Sequence, residues 1–207
     1  MLSQLNSRFF LICLIFFNSC LLQSMKIIYI TGPCGVGTST LGEIIKNFYD
    51  VNLIESDDIA IYPTNPPFQK FRPQEVRHDL LTERLLDCKV NVIVGSINEW
   101  ATDVIEHANM FVFLYAPFVE REPRIQKRER ERVGELFETD EGIKERYKLF
   151  IEWTKQYDYF KDPRSFSRHK ELYDSFHGIK YFFGQGESMQ QVFDILRNDI
   201  EKIIKEV

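Results

Sequence analysis

Cysteine is scarce in this chain of 207 residues, and its four copies exclude more than they suggest. Cys13 and Cys20 stand in an N-terminal stretch set apart by composition. Cys34 and Cys88 form no C-x-x-C pair and no metal-ligand spacing, so neither a disulfide framework nor a zinc site is expected. A basic excess is missing as well. The net charge is −5, which gives no electrostatic reason to bind nucleic acid or an anionic membrane. Internal repeats and low-complexity tracts are absent. The unbroken apolar run from Phe9 to Phe17 falls well short of the roughly 20 residues a bilayer span needs.

With Arg8 ahead of it, that run resembles the first two regions of a signal peptide. No A-x-A-like cleavage site follows, and the bulky Phe17 before Asn18, Ser19 and Cys20 makes a poor lipoprotein box. Met25 lies directly before the first strand, where an initiator would stand. Residues 1–24 are therefore read as an over-extended start outside the fold, and residues 25–207 as one cytoplasmic domain; export is the alternative. At 44% hydrophobic residues, this length supports one globular domain with an ample core.

What is present centres on Lys26 to Leu41, KIIYITGPCGVGTSTL. A β-branched run ends at Thr31, a loop carries Gly32, Gly35 and Gly37, and the hydroxyl residues Thr38, Ser39 and Thr40 precede the helical pattern Leu41, Ile44, Ile45, Phe48. Strand, glycine loop, hydroxyls and helix are the elements that wrap a phosphate chain. The spacing follows G-x-x-x-x-G-K-[ST] with Thr38 in place of the lysine. Ser39 falls where a hydroxyl coordinates magnesium. The phosphate-binding set is thus Gly32, Pro33, Cys34, Gly35, Val36, Gly37, Thr38, Ser39 and Thr40. Cys34 reads as a small loop-filling residue, with a redox-sensitive thiol as the alternative.

The second strand spans Asn52 to Glu55 and runs into Ser56, Asp57 and Asp58. Acids at the C-terminal end of a strand beside a phosphate loop suit a metal or a substrate hydroxyl; they equally suit the first turn of a helix, and both readings stand. Pro63 to Phe68 is a proline-punctuated loop that suits the wall of an acceptor site, and Pro73 opens a helix. Further strands are expected at Lys89–Gly95, Met110–Tyr115 and Tyr181–Phe183, and a packing helix from about Ser188. Strands separated by helices predict a parallel sheet covered on both faces, with the loops at Gly32, Ser56, Ser96 and Ala116 along one edge.

Between the fourth and fifth strands, Glu120 to Glu135 is dense in charge, with Arg121, Arg124, Lys127, Arg128 and Arg132 spaced to share helical faces. A solvated helix would look the same. The run starts where the fourth strand reaches the active edge, which favours guanidinium clamps for phosphate. Trp153, Tyr157, Arg164 and Arg168 follow, and residues of about 120–176 are read as a helical lid able to close over a nucleotide.

From Met25 onward the chain resembles the bacterial adenylate-kinase-like P-loop proteins, relatives of the nucleoside-monophosphate, shikimate and gluconate kinases. One branch, often described only as AAA-family or adenylate kinase-like ATPases, carries G-x-x-G-x-G-T-T-T-L-G, a D-D pair, P-T-x-P-P-F and G-S-x-x-x-W. Here these are Gly32–Gly42, Asp57-Asp58, Pro63–Phe68 and Gly95–Trp100. The branch's R-x-x-x-R, W-x-x-x-Y-D and R-S-x-x-R-H elements match Arg124 and Arg128, Trp153–Asp158 and Arg164–His169.

The resemblance implies a three-layer α/β P-loop NTPase fold with a five-stranded parallel sheet and a helical lid, using ATP and Mg2+. It also implies that Thr38 belongs to the branch. In the kinase reading, Arg124, Arg128, Arg164 and Arg168 neutralise the moving phosphoryl group. Asp57, counted with the catalytic set, and Asp58 orient the acceptor or the metal, Ser96 and Trp100 face the acceptor, a nucleotide or small metabolite, and Ser39 holds the metal. The alternative is a nucleotide-binding regulatory protein without turnover. A GTPase is disfavoured because no N-K-x-D signature follows the fourth strand.

A chain starting at Met25 is expected to fold and bind nucleotide as the full chain does. Thermal melts and nucleotide titration of the truncated protein check this, and loss of soluble, nucleotide-binding material would contradict it.

Overall fold

The computed structural model describes residues 25–64, 69–184 and 186–207. The segment 1–24 and residues 65–68 of the Pro63–Phe68 loop lie outside the described residues. Five strands alternate with helices: β1 (Lys26–Thr31), α1 (Thr38–Phe48), β2 (Asn52–Glu55), α2 (Ser56–Ala60), α3 (Gln74–Leu85), β3 (Val90–Val94), α4 (Thr102–Glu106) and β4 (Met110–Leu114). Then follow α5 (Phe118–Val133), α6 (Leu136–Thr139), α7 (Glu141–Lys155), α8 (Phe166–Ser175), β5 (Ile179–Phe183) and α9 (Met189–Lys205).

All strand pairs are parallel, in the order β2-β3-β1-β4-β5. This is the expected three-layer α/β architecture of P-loop proteins. Strand β1 is central, with Ile28 level with Val92 on one side and Met110 on the other. Its side chains alternate between two cores. Ile27 and Tyr29 join Leu81, Leu85, Val104 and Phe111 on one face. Ile28 and Ile30 join Leu41, Ile45, Val192 and Leu196 on the other. Burial on both faces explains why β1, β3 and β4 read as continuous apolar runs. Strand β5 forms one edge; Ile179 and Phe182 are partly exposed, and it starts two residues before the predicted Tyr181.

Buried asparagines at the sheet are satisfied, while the hydroxyl of Thr31 at the end of β1 is buried without a hydrogen-bond partner among the described residues. Asn91 Nδ2 donates to the carbonyls of Leu85 and Cys88, and its Oδ1 accepts from Asn52. Asn109 Oδ1 accepts from the N–H of Ile27 at the start of β1. Helix α9 begins with a capping box between Ser188 and Gln191, which satisfies two otherwise orphaned N–H groups. Among the described residues no helix is long and apolar enough to cross a membrane.

The chain passes to one side of β1 through β3 and β2 and to the other through β4 and β5. The strand order therefore reverses at the C-terminal end of β1, where ligands bind in open α/β sheets. Gly32 follows directly. A Cβ there would stand 2.3 Å from the carbonyl oxygen of Leu114 and 2.9 Å from a Val36 methyl, so only glycine lets the loop lie against the end of β4. Gly32→Ala is expected to destabilise the protein by about 1–3 kcal/mol, the usual cost of forced overpacking; urea denaturation measures it, and an unchanged midpoint would refute the constraint.

Candidate phosphate-loop site

Gly37 caps α1 in a left-handed conformation (φ 113°) and offers no side-chain bond to the first turn. The N–H groups that open α1 therefore point outward with the positive end of the helix dipole, an arrangement suited to an anion. Behind the loop lies Arg121, fully buried. Its Nη1 donates to the Cys34 carbonyl at 2.9 Å, its Nε to Ala116 at 2.9 Å and its Nη2 to Thr154 at 3.3 Å. The guanidinium also lies 5.6 Å from the rings of both Phe118 and Tyr157. Burial lowers its pKa, yet an arginine stays charged.

On the open side of the loop is a cavity of about 760 Å³, lined by Gly32–Gly35, Thr38 and Ser39. Ser39 Oγ donates to Glu55 Oε2 at 2.9 Å. Glu55 ends β2, and burial pushes its carboxyl up. Arg128 reaches the cavity from α5, its Nη2 donating to Cys34 Sγ at 3.2 Å. Burial raises the Cys34 pKa, opposed by Arg128, so the thiol is held protonated and a reactive thiolate is disfavoured. Arg164 lines the cavity with Asp57, 3.9 Å away.

Ser96 belongs to a chain of hydrogen bonds along the wall. Its N–H donates to Ser56 Oγ at 3.1 Å. Its hydroxyl donates to Asn98 Oδ1, while Asn98 Nδ2 donates to the Pro163 carbonyl. With that hydroxyl proton spent, Ser96 Oγ accepts from His169 Nε2 at 3.3 Å, and His169 Nδ1 accepts from Tyr157 OH at 2.9 Å. His169 is buried, and desolvation first, then the charge of Arg164, pulls its pKa down to about 3.

Not every expected residue reaches this cavity. Trp100 is buried in the core beside Val104, because its turn folds back over the sheet. Arg168 lies exposed on α8, paired with Glu171 at 3.1 Å. Asp58 is exposed outside the cavity wall, and its carbonyl accepts from Arg72. Arg124 opens instead onto a second cavity of about 300 Å³, with Val36, Tyr115, Glu120 and Met189. Gly37 and Thr40 line neither cavity. In turn, Glu55, Phe71 and Arg77 carry no expectation from the sequence, and His169 enters it only as the last residue of the R-S-x-x-R-H element. Of the first three, Glu55 alone has a local signal, as the last residue of a strand at the active edge.

Fold and loop define a P-loop protein of the three-layer α/β class. The chain is 30% identical over 133 residues, 64% of its length and 73% of the other's, to the uncharacterized protein YqaC of Bacillus subtilis, and it belongs to that protein's family. No profile of a known protein family matches. Among solved structures it is similar to shikimate kinase from Acinetobacter baumannii in complex with shikimate (17% identity, 89% of this chain and 98% of that one, TM-score 0.48). It is also similar to a sugar kinase from Janibacter (13% identity, 84% and 93%, TM-score 0.46).

The buried histidine has a thermodynamic consequence. The folded protein keeps His169 neutral down to about pH 3, whereas the unfolded chain protonates it near its ordinary value of about 6.5. Between those values the unfolded state binds the extra proton, so stability falls as pH drops through this window. Relative to His169→Gln, the wild type should lose up to about 1.4 kcal/mol more per pH unit between pH 6 and 4. Denaturation midpoints across that range test it, and parallel curves would show that His169 does not titrate on unfolding.

Proposed function

We propose that this protein binds ATP with magnesium and transfers the γ-phosphoryl group to a small-molecule acceptor. The observation that carries the reading is a glycine loop at the sheet's switch point with an arginine-lined cavity beyond it. Gly32–Gly35 and the first N–H groups of α1 would hold the phosphates, and the second cavity, across Val36, would take the nucleoside end beside Arg124.

Ser39 and Glu55 present hard oxygens 2.9 Å apart beside the loop, a donor set that fits magnesium, which takes few protein ligands and keeps water and phosphate oxygens. Magnesium bound there would neutralise phosphate charge. In the transfer, the bond from the γ-phosphorus to the bridging oxygen breaks as a bond to an acceptor hydroxyl oxygen forms. ADP leaves, and the hydroxyl proton passes to Asp57. Arg128 and Arg164 supply positive charge to the phosphoryl oxygens.

Thr38 cannot carry the loop lysine's charge, and among the described residues no lysine lines the cavity. One cation at about 4 Å is worth roughly 4 kcal/mol at intermediate screening. Phosphoryl transfer rests on positioning and charge stabilisation, so arginines can take over that role. The same substitution favours a second reading, a nucleotide-binding protein without turnover. Purified protein screened against acceptor pools, with ADP release as readout, separates the two. In the kinase reading Arg128→Ala lowers turnover by about 10³ or more, while ATP affinity falls much less. Tight ATP binding with no transfer to any acceptor would leave the binder, and transfer that survives loss of Arg128 would refute its role.

A further inference from the structure

The lining of the large cavity is not only polar. About 760 Å³ is the size of a site for a drug-sized ligand, and several aromatic rings line it. Phe71 is one of them, with 51% of its surface exposed, an unusual setting for a large apolar ring in a concave site. The guanidinium carbons of Arg77 and Arg164 lie 5.3 and 5.8 Å from its centroid. Helix α7 contributes Tyr147, Phe150 and Trp153 to the same cavity. The rings of Phe150 and Trp153 are 6.1 Å apart and only 21° from parallel.

Charge and ring surface are coupled at Phe71. Arg77 Nε donates to the Arg72 carbonyl at 2.6 Å, and Arg77 has no carboxylate partner among the described residues. Arg164 lies between the Phe71 ring and the Asp57 carboxylate. An aliphatic polyol would gain little from exposed ring faces. A planar ring gains offset or edge contacts with aromatic neighbours, and an anionic substituent gains forked guanidinium bonds.

We infer that the part of this cavity around Phe71 is a binding site for a planar aromatic anion. The ring lies among Phe71, Phe150 and Trp153, and the anionic group is held by Arg77 and Arg164. If the kinase reading holds, this ligand is the phosphoryl acceptor, because Asp57 adjoins both Arg164 and the phosphate loop's cavity. The site is defined by binding and stands apart from turnover.

The test uses the full chain, saturated with magnesium and a non-hydrolysable ATP analogue so that the nucleotide site is occupied. Calorimetry then compares 1-naphthyl phosphate (ring and anion) with glycerol 3-phosphate (anion alone) and 1-naphthol (ring alone). Naphthyl phosphate should bind at least tenfold more tightly than either. Phe71→Ala and Phe71→Leu should each weaken naphthyl phosphate about tenfold and leave glycerol 3-phosphate unchanged; Arg77→Ala should weaken both phosphates. Affinity for the ATP analogue should hold in all three variants, and since Phe71 is half exposed they are expected to fold. Equal affinity for glycerol 3-phosphate, or naphthyl phosphate binding that survives loss of the Phe71 ring, would overturn the inference. Naphthyl phosphate binding without ADP release in the acceptor screen would sink the kinase reading and support this site. Transfer to an aliphatic acceptor by a protein that ignores naphthyl phosphate would do the reverse.

Discussion

The site is organised by one buried charge. Arg121 is wholly removed from solvent; its donors go to the carbonyls of Cys34, Ala116 and Thr154, and the charge of Asp158 acts on it from nearby. Burying a guanidinium is costly unless its donors are satisfied, and these three carbonyls with two flanking rings offset that cost. They come from the phosphate loop, the exit of β4 and the end of α7. The loop is thus tied to the sheet edge on one side and to the β4–β5 segment on the other. A second tie, through Ser96, Asn98 and His169, joins that segment to the turn after β3. Both ties use neutral partners, so the carboxylates at the edge stay free to face the cavity.

This division explains where the charges lie. The loop has a threonine where a lysine would stand, and arginines from α3, α5, α7 and the segment after α7 line the cavity. Arg128 rests against Cys34 and Glu129, and Arg164 rests against Asp57. Each contact is long or exposed enough to be exchanged for a phosphate oxygen at little cost. Helix α5 serves two cavities. Arg121, Ile125 and Arg128 form the face against the loop, where Ile125 would meet any Cβ on Gly35. Arg124 falls on the flank, beyond Val36.

Local pattern made much of the fold legible. Strand β2 has the bounds its composition implied. Strands β1, β3 and β4 were readable because burial on both faces leaves an unbroken apolar run. The start of β5 was not, because an edge strand with exposed residues at Ile179 and Lys180 carries no such run. The glycine loop was readable because its spacing encodes a backbone shape. The cavity wall was less so. Trp100 resembles a site aromatic in its turn, but the sheet beneath it takes it into the core. Arg124 and Arg128 share a spacing yet open onto different cavities.

The sequence by itself therefore determined what depends on neighbours within a few residues: the parallel α/β alternation, the phosphate loop, the missing lysine and the supply of arginines. Only the tertiary structure decided what depends on contacts tens of residues apart. It chose Arg121 for the interior, set Glu55 against Ser39, and buried His169 against Ser96 from 73 positions away. It also placed Phe71 with Arg77 and Arg164. The physical reason is that a side chain's role in a cavity is set by which distant surface faces it, and helical or strand periodicity records only which way it leaves its own backbone.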